Sequence, residues 1–218
     1  MYSWTIWKAR NKVVWKKKHS SVNDVLTSAQ VALDHWNKAH DKILLSSICL
    51  ENIGDSAESW TKPVENTIKI NVDAALFDID NKYGFEIIAQ NYLGYLVAAR
   101  AGCHGGRYAA EVIEVMGIKK ALSWVKTNNW QHVQIETANL VSVQAIRSNQ
   151  AMKSTFALSI KDCQLLLSTL PNVNLFFIRR SANRVAHYVA KHSRYQSDRN
   201  ISDISISGEL LHLLHSEC

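Results

Sequence analysis

The stretch IKINVDAAL, residues 68–76, decides how the rest of the chain is read. Ile68, Ile70 and Val72 alternate with Lys69, Asn71 and Asp73. Side chains along a strand point to opposite faces in turn, so the pattern predicts a strand with one apolar face and with Asp73 on the other. Downstream, GFEIIAQNYLGYLVAARAG (84–102) predicts two more strands joined by a turn at Asn91–Gly94. A helix is expected over 109–126, with Ala110, Ile113, Gly117, Ala121 and Trp124 along one apolar face. VQIET (133–137) and VNLFFIR (173–179) read as strands, and 139–147 and 155–167 as helices. SANRVAHYVAKH (181–192) closes the series with a helix whose Ala182, Val185, Ala186, Val189 and Ala190 share one side. The order βββαβααβα places the chain in the α/β class: a meander followed by helix-linked strands, giving a mixed sheet with helices on its faces.

Upstream of that stretch the pattern changes. Residues 4–18 and 22–38 read as helices, the second opened by Ser21 or Asn23 as N-cap. Trp4, Trp7 and Trp15 are interleaved with Lys and Arg. They are expected to pack their helix onto a neighbour, the alternative being a stacking platform for single strands. Periodicity fades over 40–66, which reads as a linker ending at Pro63. Three parts are expected: a helical segment with linker (1–63), the α/β domain (64–195) and a tail (196–218).

The composition bounds the function. At 47% apolar and 20% charged residues over 218 positions, the chain is of the globular type. No run of about 18 apolar residues occurs, so no membrane partner is expected. The N-terminus lacks an apolar leader core, and Cys49, Cys103, Cys163 and Cys218 are scattered without a C-x-x-C pair. Both features point to an intracellular, non-secreted protein without a disulfide scaffold. The net charge of +6 suits either a phosphate-bearing partner or solvated helix faces.

Asp73 at a strand end and Glu111 in the first turn of a helix are two carboxylates able to converge on a hard cation such as magnesium. Each also has a plain reading: an exposed strand carboxylate, and a favourable charge on a helix N-terminus. Gly105, Gly106 and Arg107 precede the Glu111 helix, while Arg179, Arg180 and Arg184 gather near the last one. Gly106, Arg107, Arg180 and Arg184 are the candidate phosphate contacts.

With IKINVDAAL, AARAG…AAEVIEVMGIKKALSWV, HVQIETANLVSVQAI and NVNLFFIRRSANRVAHYVA in this order, residues 68–192 resemble a ribonuclease H type 1 domain. The likeness is to the reverse-transcriptase-like form of plant non-LTR retroelements, and the leading WTIWKARNKVVW is similar to the segment upstream of that domain. No polymerase Y-x-D-D signature occurs, so a retrotransposon-derived fragment or host gene is expected. The resemblance implies a ribonuclease H-like fold of five strands flanked by helices. It implies a hydrolase, an endonuclease that cuts the RNA of an RNA–DNA hybrid with two magnesium or manganese ions. Its four acidic positions fall on Asp73, Glu111, Ala138 and His187. The methyl of Ala138 bridges no cation, and imidazole is a poor magnesium ligand. The expected outcome is nucleic-acid binding with a weakened metal site and impaired hydrolysis. Two alternatives stay open: an active nuclease in which Glu136 or His187 fills in, and a non-catalytic interaction module.

Overall fold

The computed structural model describes residues 2–17, 19–45, 55–148, 154–192 and 199–201. Strand β1 (Ile68–Phe77) is the centre of the sheet, because it pairs with strands of both directions. On one side it runs antiparallel to β2 (Lys82–Gln90), which runs antiparallel to β3 (Leu96–Gly105). On the other it runs parallel to β4 (Val133–Thr137), which runs parallel to β5 (Val173–Phe177). These are the five expected strands. A short sixth, β6 (Arg199–Ile201), pairs antiparallel with β3 and extends the order to β5-β4-β1-β2-β3-β6.

Local chemistry explains the boundaries. Between β2 and β3, the Asn91 side chain accepts from the amides of Leu93 and Tyr95, and Gly94 takes a φ of +87° that the turn requires. Helix α3 (Ala110–Thr127) follows β3. Helix α4 (Leu140–Arg147) starts where Asn139 accepts from the Ser142 amide at 2.8 Å. Helix α5 (Thr155–Ser168) starts where Ser154 accepts from Ala157.

Both faces of β1 are covered. Ile70 and Val72 are fully buried in the main core with Ile118, Leu122, Val143 and Ile160 from α3, α4 and α5. Helix α6 (Arg184–His192) lies on the opposite face, where Val185 and Ala186 pack with Ile88, Ala99 and Ala101. Lys69, Asn71 and Asp73 are therefore buried too, rather than solvent-facing as alternation alone suggests.

Residues 55–61, read from the sequence as linker, are a strap against the sheet. Asp55 accepts from Arg147 at 2.7 and 3.1 Å and from the Phe177 amide. Ala57 forms a parallel bridge to Ile178, and Ser181 donates to the Glu58 carbonyl. Trp60 Nε1 donates to Asn71 Oδ1 at 3.0 Å, and Lys69 Nζ donates to the Thr61 carbonyl at 2.6 Å.

The N-terminal extension is two helices, α1 (Tyr2–Lys16) and α2 (Val22–Leu45), with Thr5 and Ala29 buried. Ser21 caps α2: its hydroxyl accepts from the Asp24 amide while the Asp24 carboxylate accepts from the Ser21 amide. Trp7 and Trp15 are 56% and 81% exposed, so neither packs its helix onto a neighbour in the way the sequence suggests. Among the described residues no helix is long and apolar enough to cross a membrane. Cys49, Cys218 and most of the tail lie outside the described residues.

Candidate functional site

Asp73 sits in the middle of β1 and not at a strand end as expected, just past the last residue that pairs with β4, and is 6% exposed. Asn183 fixes what faces it. Its buried amide donates to the Val72 carbonyl at 3.0 Å, and its own carbonyl accepts from the His187 amide. This fastens the first turn of α6 to β1 and brings His187 Nδ1 to 2.7 Å from Asp73 Oδ2. Arg180 completes the line, its Nη2 lying 3.2 and 3.1 Å from the two ring nitrogens of His187. Nη2 is therefore nearly equidistant from the two nitrogens and lies over the imidazole ring, while Nδ1 faces Asp73 at the ring edge. Two of the expected site residues, Asp73 and His187, are thus in direct contact, and Arg180 touches the second.

Two further carboxyls, not picked out in the sequence, belong to this neighbourhood. Glu86 is directly opposite Asp73 across the β1–β2 ladder and is completely buried. Glu114 lies one turn beyond Glu111 in α3. Both oxygens of Glu86 and Oε2 of Glu114 lack hydrogen-bond partners. Burial, reinforced by the Asp73 charge, pushes the Glu86 carboxyl well above the usual range. The same two causes push Glu114 up to about 8, against a smaller opposing effect of Arg180. Asp73 is also raised by burial, with His187 and Arg180 pulling the other way. Burial thus favours the neutral acid at both, and Glu114, at about 8, keeps its proton at pH 7. The signal for Glu86 was in the hairpin register: a turn at 78–81 puts residue 86 opposite residue 73. Glu114 had only its spacing from Glu111.

The remaining candidates fall in different places. Glu136 stands beside Asn71, level with the pair one step down the sheet from Asp73. Its oxygens are held by Lys69 Nζ at 2.7 Å and Asn71 Nδ2 at 3.0 Å, all three side chains buried. The carboxylate that the active-nuclease alternative would use as a ligand is thus engaged by a buried ammonium and an amide, one on each oxygen. Thr137 pairs with Val72, so the next residue, Ala138, follows at the level of Asp73. Glu111 lies half-buried in the first turn of α3. Gly106 has a φ of +140°, and its amide donates to the Asn81 carbonyl at 2.8 Å, which ties the loop to the hairpin turn rather than leaving the amide for phosphate. Arg107, Arg180 and Arg184 are exposed, whereas Arg179 faces Glu58 across 3.4 Å.

Among the described residues no group of three His, Cys, Asp or Glu side chains is arranged to hold a metal ion. The donor set explains this. Asp73 Oδ2 faces His187, Glu136 is held by Lys69 and Asn71, Ala138 contributes a methyl and Glu86 is completely buried, which leaves Glu111, half-buried on α3, as the other carboxylate of the expected set. These residues do not fit the two-ion centre that the resemblance implies.

Known structures share the architecture. The N-terminal RNase H domain of a Mycobacterium tuberculosis protein superposes with a TM-score of 0.53 at 16% identity, covering 59% of this chain and 93% of that one. RNase H1 from Halobacterium salinarum gives 0.53 at 12% identity, covering 58% and 96%. LC11-RNase H1, isolated from compost and solved in complex with an RNA/DNA hybrid, gives 0.51 at 15% identity, covering 57% and 94%. No curated protein sequence matches the chain. Residues 71–193, more than half the chain, match the reverse transcriptase-like family. On that sequence match the chain belongs to the reverse transcriptase-like family, and its mixed sheet with flanking helices is an RNase H-like fold.

Proposed function

We propose that the chain binds nucleic acid, specifically RNA–DNA hybrid, at the surface around Asp73, and that hydrolysis there is strongly impaired. The observation that carries this reading is the contact of Asp73 with His187 at 2.7 Å. A protein imidazole, backed by the Arg180 guanidinium, stands where a metal-dependent nuclease would need oxygen ligands. In the resembled family the ions supply charge neutralisation and an activated water, and those two effects carry most of phosphoryl transfer. In this chain Arg180, Arg184 and Arg107 contact backbone phosphates, and the His187 ring supports Arg180 from beneath. Asp73 holds that ring in place through the contact at 2.7 Å. Binding of magnesium or manganese is correspondingly weak. The leading WTIWKARNKVVW supports the further reading of a retroelement-derived chain of the plant branch.

The test is a labelled RNA–DNA hybrid incubated with the full chain and magnesium or manganese, beside Ala138→Asp. The expected result is salt-sensitive hybrid binding by both proteins, with cleavage at least about 100-fold faster for Ala138→Asp, in keeping with the cost of removing one preorganised charge-stabilising group. Rapid cleavage by the unaltered chain that Asp73→Ala abolishes would overturn the impaired-site reading. Absence of hybrid binding at low salt would overturn the binding reading and leave the interaction module.

A further inference from the structure

The turn that leads from β5 into α6 is anchored at alternate residues, and the strap supplies two of the three anchors. At Arg179 the main-chain amide donates to the Ala57 carbonyl at 2.8 Å, and the side-chain Nε faces Glu58 Oε1 across 3.4 Å. At Ser181 the hydroxyl donates to the Glu58 carbonyl. At Asn183 the side-chain amide donates to the Val72 carbonyl of β1. Arg180 lies between the two strap anchors, and its guanidinium rests over the His187 ring.

The register of the strap explains the pattern. Strand β5 ends the sheet on its side, and Ala57 bridges in parallel to Ile178 along the free edge, with the Ser56 amide donating to the Phe177 carbonyl at 2.7 Å. Running on in that direction, the strap brings Glu58 level with the turn, where its carbonyl meets Ser181 and its carboxylate meets Arg179. The reach of Arg180 extends past His187: its charge acts on both Asp73 and Glu114, against the effect of burial at each. An exposed arginine left to itself samples many rotamers, and binding a phosphate then costs the freedom it gives up. A guanidinium already set by its backbone and by a ring beneath it has less to lose.

We propose that Ser181, through its bond to the Glu58 carbonyl of the strap, is a positioning residue that fixes the turn so that the Arg180 guanidinium stays over His187, presented to a backbone phosphate. The inference deepens the function proposed above and rests on it for the phosphate, but not for the placement of Arg180.

Two measurements on the full chain separate those parts. The first needs no nucleic acid: phenylglyoxal, which adds to guanidinium groups, with the labelled arginines resolved by tandem mass spectrometry. Ser181→Ala should speed labelling of Arg180 about fivefold, the release expected from losing one hydrogen bond. Ser181→Thr keeps the hydroxyl and should leave the rate as it was. Arg147, held by Asp55 near the start of the strap, should stay slow in both variants, which separates a local release from general loosening. The second measurement is affinity for an RNA–DNA hybrid. Ser181→Ala should weaken it about fivefold when Arg180 is present and leave it unchanged when Arg180 is already alanine, since a residue acting through the guanidinium then has nothing to position. An Arg180 rate indifferent to Ser181→Ala, an equal rise at Arg147, or the same weakening with and without Arg180 would each overturn the proposal. Should the unaltered chain bind no hybrid, the reading of the site falls, and the labelling rates alone decide whether Ser181 places Arg180.

Discussion

Glu114 and Glu86 concentrate the conflict between burial and ionisation. Both carry orphaned oxygens beside Asp73, so each is stable in the interior as the neutral acid. Linkage follows from the shift. Glu114 holds its proton to about pH 8 when folded but gives it up near 4.5 when unfolded, so between those values the folded state binds more protons. Stability from this group is complete below about pH 4.5 and is lost as pH rises towards 8, at up to about 1.4 kcal/mol per unit. Urea unfolding at pH 5, 6.5 and 8 should show a falling midpoint, and Glu114→Gln should flatten the decline while leaving the pH 5 value nearly unchanged. A midpoint that rises over this range would contradict the burial assigned to Glu114. Asp73 and His187 were legible as residues because each sits in a recognisable local motif. Glu86 was not, because a lone glutamate inside FEIIA reads as the solvent-facing member of an alternation. Only pairing with a second segment puts it against Asp73.

At the level of elements, α3 owes its close approach to the sheet to Gly117. A Cβ there would lie 3.2 Å from Val72 Cγ1 and 3.8 Å from Phe85 Cβ. For Gly117→Ala the tight contact opposes a helix-propensity gain of about 1 kcal/mol, so the net change should be small. Gly117→Val adds two methyls against a filled core and should cost about 1–3 kcal/mol, read as a lower denaturation midpoint. Equal stability of the two variants would show that α3 has room to retreat. From β1 to α6 the elements are readable in order and type, since their signals are periodic within a dozen residues, whereas the three-residue β6 falls in what reads as a tail. Helix α4 begins at Leu140 with Asn139 as its cap, and β4 matches residue for residue at Val133–Thr137. The last strand was read two residues too long, because the apolar run continues into Ile178. That residue still donates its amide to the Thr137 carbonyl of β4 and on its other side bridges to Ala57 of the strap.

For the molecule as a whole, the mixed sheet was legible and the partners of its buried polar side chains were not. The covering of Lys69, Asn71 and Glu136 is not legible because the segment that provides it, DSAESWTKP, has the polar, turn-rich composition of a connector. Its anchors are remote: Asp55 reaches Arg147 and the Phe177 amide, contacts no local pattern announces. The strap has a practical corollary for anyone preparing a minimal recombinant piece. A fragment cut at Val64, just ahead of the first strand, would retain Lys69, Asn71 and Arg147 yet discard Thr61, Trp60 and Asp55, a hydrogen-bond partner of each. Lys69 keeps Glu136 and Arg147 keeps the Leu175 carbonyl, so what is lost is one hydrogen bond at each residue, about 1.5–3 kcal/mol where the group is charged and less at Asn71. Fragment 64–195 should therefore melt well below fragment 55–195 and precipitate more readily, while equal melting curves would demote the strap to ornament.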